Sequence, residues 1–301
     1  MYEKQVSLLL DLIPSVASES KFGLKGGTAI NLFYLPMPRL SVDLDLVYLP
    51  LEGREEALAG IDAGLVNIKI LIKKRHSSLK IIQNPNPPEL CRQLIFKDEK
   101  CQVKVEVNIV IRGTLYPLSE KSINPVVQNT FKKNVKMQVV SPEDLYGSKI
   151  CAALDRQHPR DLFDMMIFFQ KHELSRPFVK AFLFYLLSHN RPIAEILQPT
   201  FLDIKMPYER SFLGMTKETV SLKALIDTRE KLVSELKQKL TQEDKDFLIS
   251  FKKGDPNWTY YDVKDFQDFP SIKWKLRNIQ LMTREKKQKA LVHLEKILES
   301  L

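Results

Sequence analysis

The stretch that most constrains the fold is residues 25–48, KGGTAINLFYLPMPRLSVDLDLVY. Val42, Leu44, Leu46 and Tyr48 alternate with Ser41, Asp43, Asp45 and Val47, the period-two pattern of a strand with one buried face. Such a strand directs Asp43 and Asp45 to the same side, with Cα atoms roughly 6.5–7 Å apart. Flexible carboxylates at that spacing suit divalent cations about 3.5–4 Å apart, an arrangement fit for phosphoryl or nucleotidyl transfer. Upstream, Gly26 and Gly27 leave backbone amides unobstructed by a Cβ, and Thr28 opens a short apolar helix (Ile30, Leu32, Phe33) whose N-terminus favours an anion. Pro36 and Pro38 end that helix. Either half alone is a common surface pattern. Together, with Ser41 two residues before Asp43, they point to a nucleoside triphosphate lying between a glycine turn and metal-binding carboxylates.

The flanking pattern supplies a sheet around this unit. Residues 3–18 place Val6, Leu9, Leu10, Ile13 and Val16 at helical spacing, an amphipathic helix expected to cover one sheet face. Residues 22–24 read as a short strand and residues 54–73 as a helix with Leu58, Ile61, Leu65 and Ile68 on one side. Strands are expected at 79–83 and 90–96, separated by the proline-rich Asn84-Pro85-Asn86-Pro87-Pro88, and Asp98-Glu99-Lys100 makes a turn. Val103, Val105, Val107 and Ile109 then alternate with Lys104, Glu106 and Asn108, so Glu106 leaves the polar face of a further strand. Residues 135–140 form a last strand. Ser141-Pro142-Glu143-Asp144 is a helix start with an N-cap serine, proline at the first helical position and acids in the first turn. That helix runs to about Asp155, with Lys149 off its apolar face. His158-Pro159 interrupts it, His158 reading as a helix-entry residue. Arg160-Asp161-Leu162-Phe163-Asp164 opens the next helix, with Asp161 and Asp164 sharing a face at i, i+3.

From about residue 165 onward only helical periodicity remains. Phe168, Phe169, Phe178 and Phe182 fall at helical spacing among aliphatic residues and read as core. Longer helices are expected near 217–240 and 242–253, the second capped by Thr241 with Asp244 at the capping-box position. Trp258 to Tyr261 and Trp274 form an aromatic stretch open to two uses, bundle packing or contact with a base or a protein. Residues 272–301 read as a basic helical tail.

Composition narrows the class. With 44% hydrophobic and 28% charged residues in 301 positions, the chain can bury a full core, and disorder is not a sensible overall description. No apolar run approaches the length of a membrane span, and residues 1–5 do not begin a secretory signal, so a cytoplasmic protein without a membrane partner is expected. Cys91, Cys101 and Cys151 have neither disulfide nor zinc spacing and read as buried thiols. No P-loop and no Gly-x-Gly-x-x-Gly is present, which sets aside P-loop ATPases and dinucleotide enzymes. The net charge is +9, and residues 171–301 carry 24 basic against 18 acidic side chains, which makes the helical half the better platform for a polyanion.

The residues Gly26-Gly27-Thr28-Ala29, Arg39-x-Ser41-x-Asp43-x-Asp45, Lys149 and Arg160-Asp161-x-x-Asp164 resemble the AbiEii/AbiGii-type toxins, bacterial nucleotidyltransferases of the polymerase-β-like superfamily. The resemblance spans the first 170 residues. It implies an α+β fold: a nucleotidyltransferase domain with a mixed sheet over 1–170 and a helical bundle over 171–301. It implies transfer of a nucleoside monophosphate from an NTP to a hydroxyl, with the 3′ end of tRNA as the first-choice acceptor, by the toxin of a toxin–antitoxin pair with a cognate antitoxin. A small molecule or a protein side chain as acceptor, and a non-catalytic binding module, stand as alternatives. Mg2+, with Mn2+ as substitute, would sit on Asp43, Asp45 and Glu106. Gly26, Gly27, Thr28 and Ser41 would receive the triphosphate, helped by Lys149 and Asp164. Glu106 or Asp161 would take the hydroxyl proton.

Overall fold

The computed structural model describes residues 2–85, 91–261 and 266–300. They cluster into two compact units, one of residues 1–145 with 215–218, the other of residues 146–214 with 219–301. This boundary falls inside a helix, near residue 145, whereas the loss of strand patterning alone places it near 170.

The first unit begins with α1 (Tyr2–Ala17), whose Val6, Leu9, Leu10, Ile13 and Val16 are wholly buried. It leads into β1 (Phe22–Lys25), then α2 (Gly26–Thr28), which continues as a π-helical turn over Ala29–Tyr34. After β2 (Asp43–Tyr48) come α3 (Arg54–Arg75), β3 (Lys80–Pro85), β4 (Cys91–Lys97), β5 (Gln102–Asn108), β6 (Ser119–Ser122), α4 (Pro125–Phe131) and β7 (Lys136–Val139). The seven strands form one mixed sheet in the order β3-β4-β5-β2-β1-β7-β6. β2 runs parallel to β5, and β1 parallel to β7; the other neighbours are antiparallel. α1 packs on β5 and β7, α3 on β4 and on α1. Leu44, Leu46, Val103, Val105 and Val107 are buried on the apolar side, so the polar residues between them face the other way.

α5 (Pro142–Asp155) starts in this unit. Ser141 Oγ accepts from the Asp144 amide at 3.1 Å, the expected cap. Asp144 is fully buried and its carboxylate accepts from the amides of Leu115 and Tyr116 at 3.0 and 2.9 Å, which ties the loop between β5 and β6 to the helix start. The second unit is helical: the rest of α5, α6 (Pro159–Lys171), α7 (Arg176–Ser188), α8 (Ile193–Leu197), α9 (Lys205–Ser211), α10 (Leu222–Lys239), α11 (Gln242–Lys253), α12 (Pro270–Gln280) and α13 (Arg284–Glu299). Its core is aromatic. Phe168 stacks edge-on to Phe178, and Trp258 and Tyr261 pack on Phe247, whereas Tyr260 and Trp274 are exposed. The Thr241–Asp244 capping box forms as expected.

Several expectations change. Residues 215–218 do not begin α10; they return to the first unit, where Thr216 bridges Arg39 in antiparallel fashion. α10 therefore starts later, capped by Ser221. The C-terminal tail is two helices, because Thr283 caps a new one after the turn at Leu281. β3 extends through Asn84 and Pro85 with a bulge, tolerated because β3 is a sheet edge where proline costs little pairing; residues 86–90 lie outside the described residues. Cys151 is a buried thiol. Cys101 is half exposed, with its Sγ donating to Asp98 at 3.4 Å, because it follows directly on the turn. Among the described residues no helix is long and apolar enough to cross a membrane.

Candidate active site

The glycine turn exists because two glycines let the backbone come against side chains that any Cβ would strike. Gly26 has φ +74°, a left-handed conformation, and a Cβ there would lie 2.5 Å from Asp45 Oδ2. A Cβ on Gly27 would lie 2.7 Å from an Arg39 Nη and 2.8 Å from Ser41 Oγ. Lys25 is extended, and the chain turns helical at Gly26, so the first amides of α2 stand beside β2. Thr28 is fully buried: its hydroxyl donates to the Asp43 carbonyl at 2.5 Å and lies 3.0 Å from Ser41 Oγ. Its side chain is thus committed to holding Ser41 and the start of β2. Asn31 Nδ2 donates to the Gly27 carbonyl at 2.9 Å, which fixes the turn from the helix side.

Asp43 and Asp45 are half-buried on the same side of β2, as the alternation requires. The parallel pairing sets Asp43 opposite Lys104 and Asp45 opposite Glu106 on β5. On the outer side of β5, β4 sets Gln93 beside Glu106; on the inner side of β2, β1 sets Lys25 beside Asp45. One face of four strands therefore carries Gln93, Glu106, Asp45 and Lys25 in a row. Glu106 is engaged by Lys104 of its own strand at 2.7 Å. Partial burial disfavours the Lys104 ammonium, but the Glu106 hydrogen bond and the charges of Asp43, Glu106 and Asp45 outweigh it, holding its pKa above the ordinary lysine value. Among the described residues no set of three or more potential ligands closes around one point. The donors nevertheless fit a hard divalent cation: they are carboxylate oxygens, they share one face, and a cation, the Lys104 ammonium, already rests in their field.

A second cluster lies in the helical unit. Lys149 on α5 is 7% exposed and ion-pairs Asp161 Oδ1 at 2.8 Å and Asp164 Oδ2 at 3.0 Å, both on the first turns of α6 and both 1% exposed. Arg156 Nε adds a bond to Asp161 at 2.5 Å. His158 Nδ1 accepts from the Arg160 amide at 3.2 Å and caps α6 as expected. Burial pushes the Asp161 carboxyl up, yet Lys149 and Arg156 outweigh it and hold the group well below the usual carboxylate range. A carboxylate so saturated is a weak proton acceptor. Its geometry suits positioning of the Lys149 amine, a change from the expected proton-accepting role.

Gly26, Gly27, Thr28, Ser41, Asp43, Asp45 and Glu106 thus come together in the sheet unit, and Lys149, Asp161 and Asp164 form their own group in the helical unit. Two residues were assigned no role from sequence. Arg39, 4% exposed, lies against Gly27, and Lys104 pairs with Glu106. Arg39 lies inside the motif, but nothing local shows that it is buried. Lys104 stands on the same polar face as Glu106, a signal present in the alternation.

The family model described as nucleotidyl transferase AbiEii toxin, type IV TA system, matches residues 7–278. Among solved structures, MenT4, a nucleotidyltransferase toxin from Mycobacterium tuberculosis, aligns with a TM-score of 0.58 at 15% identity, covering 97% of this chain and 93% of that one. At that identity the likeness is one of fold. No curated protein matches the sequence.

Proposed function

The chain belongs to the AbiEii family of nucleotidyltransferase toxins of type IV toxin–antitoxin systems, and on that premise we propose that it transfers a nucleoside monophosphate from an NTP to the 3′-terminal hydroxyl of a tRNA. The observation that carries the reading is the pair Asp43 and Asp45 on one strand face, with Glu106 in register beside Asp45 and the Gly26–Gly27 turn against them.

Asp43 and Asp45, with Glu106, would hold magnesium, or manganese in its place, which when bound supplies positive charge for the reacting phosphate and lowers the pKa of the attacking hydroxyl. The amides of Gly26 and Gly27 and the Ser41 hydroxyl receive the triphosphate oxygens, and the Arg39 guanidinium adds positive charge behind Gly27. Thr28 keeps Ser41 in place. Glu106, half-exposed and on the same face as the aspartates, is the group suited to accept the acceptor proton. In the helical unit, Asp161 and Asp164 hold the Lys149 ammonium in place. The work is mainly positioning and electrostatics. An enzyme acting on tRNA and NTP belongs in the cytoplasm, and a cognate antitoxin is its expected protein partner.

The test is incubation with each α-labelled NTP, magnesium and total bacterial RNA, with Asp43→Ala as control and products separated by size. Label in tRNA-sized RNA with the natural protein alone is the expected result, and Asp43→Ala lowers it by at least about a hundredfold, as loss of a transition-state contact does. Label in small products or in protein would replace tRNA as acceptor. Equal labelling by Asp43→Ala would reject the site.

A further inference from the structure

Lys104 is a cation beside two of the three carboxylates of the proposed metal site. On the sheet face it stands opposite Asp43 in register, two residues before Glu106 on the same strand. Its Nζ bonds Glu106 Oε2 at 2.7 Å, and both side chains are partly exposed, so the bond is made in contact with solvent rather than locked in the core. Ile95 of β4 is its neighbour on the outer side, so no carboxylate from β4 competes for the amine at that position. A partly exposed ion pair contributes little by itself, so this one is free to exchange, and what Lys104 adds to stability comes from relieving the repulsion among the three carboxylates.

We propose that Lys104 is a resident counter-ion, a positioning residue that holds Glu106 in line with Asp45 while no metal is bound and releases it when a divalent cation arrives. This rests on the metal reading of Asp43, Asp45 and Glu106 given above. The physical ground is electrostatic. Three carboxylates on adjacent strands repel one another, and a neighbouring ammonium relieves that repulsion. The same ammonium opposes a second cation in the same field, so it weakens metal uptake and sharpens its dependence on metal concentration. With metal bound, Lys104 no longer needs Glu106, which becomes free to ligate or to accept a proton.

The experiment measures Mn2+ binding to the purified full chain without nucleotide, by calorimetry and by the loss of the free-ion electron paramagnetic resonance signal, and melting temperature with and without Mn2+. Lys104→Met removes the charge and keeps the length; Lys104→Arg keeps the charge. Lys104→Met is expected to bind Mn2+ about tenfold more tightly than the natural protein, while Lys104→Arg binds as the natural protein does. Without metal, Lys104→Met melts lower, and Mn2+ raises its melting temperature by more than it raises that of the natural protein. If the natural protein binds Mn2+ and Lys104→Met binds it no more tightly, the counter-ion role is overturned and the metal site stands. If neither protein binds Mn2+, and Lys104→Met melts as the natural protein does, the metal site and the counter-ion fall together.

Discussion

Residue by residue, the candidate site is built from close approaches that permit few substitutions. Gly26 and Gly27 carry the backbone against Asp45, Arg39 and Ser41 at distances where a methyl group would collide, and Gly26 also needs its positive φ. Thr28 illustrates how a motif residue serves indirectly: its side chain is spent on Ser41 and the Asp43 carbonyl. Asp161 differs in kind, because its carboxylate is buried and saturated by Lys149 and Arg156. Its pKa in the folded chain is depressed, so the stability it contributes is present above the ordinary aspartate value of about 3.9 and is lost as pH falls through the folded value. Asp161→Asn is therefore expected to destabilise the chain at pH 7, by about 2 kcal/mol, because the buried Lys149 loses one of its two carboxylate partners. Urea unfolding at pH 7 and pH 3 measures it: the loss should shrink at the lower pH, and an equal loss at both would remove the ionised Asp161 from the account.

Among the elements, the segment 215–218 is the least expected. It bonds the loop before β2 through the Leu40 amide to the Met215 carbonyl at 2.8 Å, the Lys217 amide to the Pro38 carbonyl at 3.1 Å, and Lys217 Nζ to the Pro36 carbonyl at 2.9 Å. The loop it holds carries Arg39 and leads to Ser41, so the far sequence segment orders the near motif. Lys217→Pro removes the amide donor and the ammonium together. Hydrogen exchange at the Leu40 amide is expected to accelerate roughly two- to tenfold, in keeping with the net worth of one hydrogen bond, while the amides of α1 exchange as before. Unchanged exchange at Leu40 would show that the loop orders itself. The π-helical turn after Gly26 belongs here too. Its wide ring, with the Leu35 amide reaching the Ile30 carbonyl at 2.9 Å, replaces the plain α-helix that the apolar pattern predicts.

For the whole molecule, charge is the property with a functional consequence. The excess of +9, concentrated beyond residue 170, favours a polyanionic acceptor over a small neutral one. RNA binding measured by filter retention from 50 to 200 mM salt is expected to weaken at least tenfold, following counterion release. An affinity flat across that range would turn the search for an acceptor toward small molecules. The membership in AbiEii nucleotidyltransferase toxins and the fold shared with MenT4 set the chemistry to be tested, and the basic helical unit adds the direction in which to look for its substrate.

Local pattern determined much of this protein. The alternation in β2 and β5, the cap at Ser141 and the capping box at Thr241 each depend on residues within a few positions of one another, where period and capping demand are legible from the chain itself. Only the tertiary structure decided what depends on distant pairing. The parallel alignment of β2 with β5 placed Glu106 beside Asp45 and Lys104 beside Asp43, across some sixty residues. The packing of α5 and α6 made Lys149 a buried cation between two aspartates, and the return of residues 215–218 pinned Arg39 and its loop. Periodicity states which face a side chain leaves. It carries no record of which neighbour waits there, because register and burial are set by the global packing of strands and helices far apart in the chain.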